Sequence, residues 1–74
     1  MIYKVALIGF GYWGPKLARN INNSNNFKIE YIIDNSKKNL DKAKKDFPLS
    51  TKLQNYKNVN KDIIDLVVIS SPTK

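Results

Sequence analysis

The stretch that most constrains this chain is Val5-Ala6-Leu7-Ile8-Gly9-Phe10-Gly11-Tyr12-Trp13-Gly14. In it a short apolar run breaks into three glycines at G-x-G-x-x-G spacing. Beyond the glycines, Trp13/Leu17/Ile21 and Gly14/Ala18 recur at helical spacing, and Pro15 falls in the first helical turn, where its missing N–H costs nothing. Strand, glycine turn and helix therefore follow one another without a linker. Gly9 lets the chain leave the strand through a tight turn, and Gly11 lacks a Cβ, so a phosphate can approach the backbone. Gly14 allows the helix to pack closely against the sheet. The first N–H groups of that helix, and the positive end of its dipole, then face an anion. Glycine-rich turns are common; the strand before it and the helix after it make this one a candidate cradle for a dinucleotide pyrophosphate.

The same alternation continues. Residues 2–8 read as a central strand, and the polar run Asn22-Asn23-Ser24-Asn25-Asn26 ends the first helix. Phe27 to Asp34 reads as a second strand closing on an acid. Asn35 or Ser36 caps a second helix with the apolar stripe Leu40, Ala43 and Phe47, and Pro48 stops it. Leu49–Leu53 reads as a short third strand, and Tyr56–Asn60 as a single helical turn with Tyr56 and Val59 facing inward. Asp65–Ser70 reads as the clearest buried strand after the first. Such β-α-β-α-β-(short α)-β order demands a parallel sheet with right-handed crossovers. The expected fold class is α/β: a partial Rossmann fold, with a sheet of about four strands in the order 3-2-1-4 and flanking helices. The glycine turn then lies at the carboxyl end of the first strand, beside the switch point between strands one and four.

Composition removes several function classes. Cysteine and histidine are absent, so there is no disulfide framework, no thiolate metal site and no histidine base. No metal site is expected. No apolar run approaches the roughly 20 residues that span a bilayer, and Met1 leads straight into a charged strand, so a soluble cytoplasmic protein without membrane contact is expected. The net charge of +7 invites a nucleic-acid reading. Against it, nearly all the positive charge is lysine scattered over polar faces, and Arg19 alone offers a guanidinium fork. No nucleic-acid partner is expected.

Asp34 lies about twenty residues beyond Gly14, where a carboxylate accepts hydrogen bonds from an adenosine ribose. An acid there repels a 2′-phosphate, so NAD is favoured over NADP; Lys37 and Lys38 follow closely and read first as a solvated helix face, second as charges that soften that preference and leave NADP open. Tyr12 and Trp13 either cover a cofactor or pack into a neighbouring domain, and Trp13 also fits the apolar helical stripe. Ser70, Ser71, Pro72 and Thr73 leave strand four beside the same switch point, where they either flank a cofactor or simply turn the chain.

Gly9-Phe10-Gly11-Tyr12-Trp13-Gly14-Pro15-Lys16-Leu17-Ala18-Arg19-Asn20, then Asp34, then Asp65 to Thr73, resembles the N-terminal domain of the glucose–fructose oxidoreductase/inositol dehydrogenase (Gfo/Idh/MocA) family. The G-Y-W-G-P stretch is similar to the branch acting on sugars and nucleotide sugars. The resemblance runs over the whole chain but over only the first half of a family nucleotide-binding domain. It implies that Gly9, Gly11, Tyr12, Trp13 and Gly14 line the pyrophosphate, that Asp34 meets the adenosine ribose, and that Ser70, Pro72 and Thr73 pass near the nicotinamide half. The family's E-K-P motif and substrate domain have no counterpart in residues 1–74, so the expectation is a fragment that binds a dinucleotide without turning over substrate. A non-enzymatic nucleotide-sensing module and an S-adenosylmethionine-binding fragment are the alternatives. Strand four, uncharged and without a following strand, is expected to mediate self-association.

Overall fold

The computed structural model describes residues 1–70. Four parallel strands, β1 (Tyr3–Ile8), β2 (Phe27–Ile33), β3 (Thr51–Leu53) and β4 (Leu66–Ile69), form one sheet in the order β3-β2-β1-β4. Helices α1 (Gly14–Asn22) and α2 (Lys37–Asp46) follow β1 and β2. The α/β architecture and strand order expected from the alternation are those observed. No helix among the described residues is long and apolar enough to cross a membrane.

Each face of the sheet has its own core. On one, Leu7, Ile29 and Ile32 pack with Phe10, with Ala18 of α1 and with Leu40 and Ala43 of α2. On the other, Ala6, Tyr31 and Ile33 pack with Val59, Tyr56, Ile63 and Ile64. Ile29 and Ile32 share a face although they are three apart, which simple strand alternation forbids. The register accounts for it: Val5 lies opposite Ile29 but Ala6 lies opposite Tyr31, so Glu30 is an extra residue that flips the parity of β2.

Local chemistry sets the ends of the helices. Ser36 caps α2, its Oγ accepting from the Asn39 N–H at 3.3 Å. Past α2, the Lys52 ammonium donates to the carbonyls of Phe47 and Ser50. Burial, and then the nearby Lys44 charge, lower the Lys52 pKa below the usual lysine range.

The second face is covered differently from the sequence expectation. Where the sequence pattern predicts one helical turn, two 3₁₀ turns are present, at Tyr56–Asn58 and Lys61–Ile63. Each begins on an asparagine whose side chain accepts a backbone N–H, and asparagine favours such local closure over a continuous helix. The Tyr31 hydroxyl accepts from the Asn60 N–H at 3.3 Å and ties this segment to the sheet. The reading of strand four as buried is corrected: Leu66, Val67 and Ile69 are exposed, because β4 pairs only with β1 and lies at the sheet edge among the described residues. Val68 alone reaches the helix-side core.

Candidate functional site

The site grows out of the carboxyl end of β1. The Ser70 N–H donates to the Ile8 carbonyl and the Gly9 N–H to the Ile33 carbonyl, both at 2.7 Å. The turn is thus pinned between β4 and β2. Gly9 has φ +97°, a conformation L side chains rarely adopt, and a Cβ there would collide with the Ser70 carbonyl oxygen. Phe10 turns inward to 1% exposure and meets Phe47 edge-on, with ring centroids 6.0 Å apart. Gly11 faces open space: a Cβ there would find only Asn39 Nδ2, at 3.9 Å. Gly14 packs more tightly than the motif alone suggests, and against a different partner. A Cβ at Gly14 would lie 2.6 Å from the Gly9 carbonyl oxygen, so this glycine seats α1 on the turn itself rather than on the sheet.

Trp13 is the N-cap of α1 and offers no side-chain acceptor. Among the described residues, the N–H groups of Gly11, Tyr12 and Trp13 have no hydrogen-bond partner. Open space over Gly11 beside unpaired donors at a helix start fits an anionic group. Tyr12 is exposed and stands edge-on to Trp13, with centroids 5.0 Å apart. Trp13 is 45% exposed and carries the Lys16 ammonium 5.0 Å from its ring centroid. Plain core packing for Trp13 is therefore not what is seen; the apolar stripe of α1 is carried by Ala18 and Ile21.

Asp34 follows β2, and its carboxylate is already engaged. Oδ2 accepts from the Phe10 N–H at 2.7 Å and from Asn39 Nδ2 at 3.2 Å, while Oδ1 accepts from the Ser36 N–H at 2.8 Å. This acid therefore holds the glycine turn against the start of α2. Sequence spacing located Asp34 but gave no hint of the clamp, because its partners come from three separate segments.

The glycine turn, Asp34 and the end of β4 line one cleft of about 530 Å³. Of the sequence candidates, Gly9, Gly11, Tyr12, Trp13, Asp34 and Ser70 line it, and Gly14 lies just beneath as the seat of α1. Pro72 and Thr73 lie outside the described residues. Lys37 and Lys38 are exposed and are not among the lining residues. Sequence reasoning missed Asn39, Gln54, Asn55 and Tyr56, which also line the cleft. The one available signal was the Ser36–Asn39 spacing of a helix start, and that reads as a cap rather than as a site.

Residues 3–74 match the family described as an oxidoreductase family with an NAD-binding Rossmann fold, GFO_IDH_MocA. No curated protein matches the chain. Among solved structures, myo-inositol 2-dehydrogenase from Lactobacillus plantarum is 27% identical with a TM-score of 0.80, over 99% of this chain and 22% of that one. Scyllo-inositol dehydrogenase from Lactobacillus casei, with bound NAD(H) and scyllo-inositol, is 27% identical with a TM-score of 0.82, over 97% of this chain and 22% of that one. An NAD-binding protein from Listeria innocua, at 18% identity and a TM-score of 0.83 over 97% of this chain and 21% of that one, shares the fold. This chain thus spans about a fifth of the length of these structures. The glycine turn, the acid after β2 and the family match agree, and the chain belongs to the Gfo/Idh/MocA oxidoreductase family as an NAD-binding Rossmann domain.

Proposed function

We propose that the cleft at the carboxyl ends of β1, β2 and β4 binds NAD, and that the chain serves as the cofactor-binding half-domain of an oxidoreductase. The substrate class is a carbinol carbon of a sugar, a nucleotide sugar or a cyclic polyol. The polyol enters because two similar structures are inositol dehydrogenases. The observation that carries the reading is the convergence of unpaired turn N–H groups, the open space over Gly11 and the Asp34 carboxylate in one cleft.

The chain's own residues then bind and orient. The N–H groups of Gly11, Tyr12 and Trp13 take the pyrophosphate, with Gly9 and Gly14 holding the turn in shape. Asp34 receives the adenosine ribose and disfavours a 2′-phosphate by charge, so NADP binds more weakly than NAD. Tyr12 and Trp13 shield the pyrophosphate from water, and Ser70, followed by Pro72 and Thr73, borders the nicotinamide half. When bound, the nicotinamide supplies the hydride-accepting carbon, and the protein supplies position. Residues 1–74 by themselves bind the dinucleotide without turning over substrate. A cytoplasmic location and self-association through β4 belong to the same proposal.

Trp13 is the single tryptophan and stands at the cleft wall, so its fluorescence tests the reading directly. Titration with NAD, NADP, ATP and S-adenosylmethionine is expected to give saturable quenching, tightest for NAD. Equal responses to all four, or a preference for S-adenosylmethionine, would overturn it. A preference for ATP would favour a nucleotide-sensing module.

A further inference from the structure

The cleft contains a polar side chain that neither the glycine motif nor the acid explains. Asn39 lies in the first turn of α2, half-buried, with its backbone N–H held by the Ser36 hydroxyl. Its Nδ2 donates to Asp34 Oδ2 at 3.2 Å and lies 3.9 Å from the place a Cβ on Gly11 would occupy. It therefore sits between the acid and the open floor of the glycine turn.

An ionised carboxylate only accepts, so the Asn39 atom facing Asp34 must be the amide nitrogen, which fixes the amide orientation. The carbonyl Oδ1 is then the other end of the group, and among the described residues it has no partner. A carboxylate offers about four acceptor positions. Asp34 Oδ2 already takes two donors, from Phe10 and Asn39, and Oδ1 takes one, from Ser36. One position remains, on Oδ1. A ribose diol presents two hydroxyl donors, so Asp34 in this arrangement satisfies one and leaves the other in need of an acceptor.

We infer that Asn39 is a specificity-determining residue of the cleft: its amide holds Asp34 in place, and its Oδ1 accepts the second hydroxyl of a vicinal diol, the adenosine ribose diol of NAD. This rests on the proposed NAD site and deepens it. The pair selects an unmodified diol, because replacing either hydroxyl by an ester or by hydrogen removes a donor that one of the two oxygens requires.

The test is a double-mutant cycle between protein and ligand. The full chain, Asn39→Ala and the nearly isosteric Asn39→Leu are titrated with NAD and with its 2′-deoxy and 3′-deoxy adenosine forms, following Trp13 fluorescence. Thermal melts of each variant identify folded protein, and either folded variant completes the cycle. The parent is expected to lose roughly fivefold to tenfold in affinity for each deoxy form. Both variants are expected to lose a similar factor for NAD, and to lose no further affinity for one of the two deoxy forms. That coupling is what a purely structural asparagine would not produce. If the variants bind all three ligands weaker by the same factor, or bind NAD as the parent does, the diol assignment is overturned while NAD binding stands. If the parent fails to bind NAD, the proposed function and the inference both fall.

Discussion

Strands β2 and β4 both carry β-branched apolar residues, and these meet different fates. In β2, Ile29, Tyr31, Ile32 and Ile33 are all buried, whereas in β4 Leu66, Val67 and Ile69 are 43%, 39% and 66% exposed. The difference lies in their neighbours. β2 pairs with β1 and β3 and is covered on both faces, while β4 pairs with β1 alone among the described residues. An apolar β-branched run records that a strand is suited to burial, and topology decides whether burial is supplied. The opposite edge sharpens the point. β3 is three residues long and carries Lys52, features that discourage further pairing, whereas β4 has four uncharged apolar residues.

The largest expected break in this contrast is a cavity in β2. Ile32 is fully buried between the sheet and the helices, so Ile32→Ala should cost about 4 kcal/mol in urea melts. Val67→Ala on β4 should cost less than about 1 kcal/mol by the same measurement. Equal losses would mean that β4 is covered in solution. Next comes the junction of the two strands with β1. Gly9→Ala places a methyl against the Ser70 carbonyl in a left-handed conformation, so it should cost about 3 kcal/mol and weaken cofactor binding. An unperturbed melting temperature would show that the β4 end moves freely.

Asp34→Ala leaves the Phe10 N–H without its acceptor and should cost about 2 kcal/mol in addition to NAD affinity. Asp34→Asn keeps one acceptor oxygen and should recover part of the stability but not the discrimination against NADP. A variant that lost NAD affinity with stability unchanged would make Asp34 a ligand contact without a structural role.

On the β4 side, Val67→Lys should change stability by no more than about 0.5 kcal/mol, yet shift sedimentation at micromolar concentration toward monomer. Val67 is the informative position because Val68 packs into the helix-side core. Unchanged sedimentation of a self-associating parent would move the contact elsewhere. The smallest effect concerns the protected edge. Lys52 has a folded pKa below the ordinary 10.5, so the unfolded state binds more protons in the interval between the two values. Its charge therefore opposes folding below that interval, and the penalty fades as pH rises toward 10.5. The stability of the parent relative to Lys52→Met should rise slightly across that range, since a neutral amine still donates to the Phe47 and Ser50 carbonyls. A difference that falls with pH would reverse the sign of the assignment.

The residues that were legible in advance are those whose signals are local. Gly9, Ser36, Leu40, Ala43 and Pro48 each announced a turn, a cap, a stripe or a stop within a few positions, and all are where their chemistry places them. Asp34 was legible by spacing alone. Its bonds to Phe10, Ser36 and Asn39 were not, nor was the place of Asn39 in the cleft, because those contacts join segments brought together only by the sheet. Trp13 was ambiguous for the same reason: its spacing fits the stripe of α1, but its half-exposed ring stands at the wall of the cleft.

What the sequence determined, then, is the order of elements, the parallel sheet and the position of the glycine turn after β1. Periodicity, turn chemistry and crossover handedness act over short separations and admit few alternatives. The tertiary structure alone decided that Glu30 is an extra residue reversing the parity of β2, that β4 stands exposed, and that Asp34 holds the glycine turn through its hydrogen bonds. These depend on which backbone and side-chain groups meet across the sheet. A hydrogen bond or a buried face is a property of two partners, and the sequence around either partner describes only one.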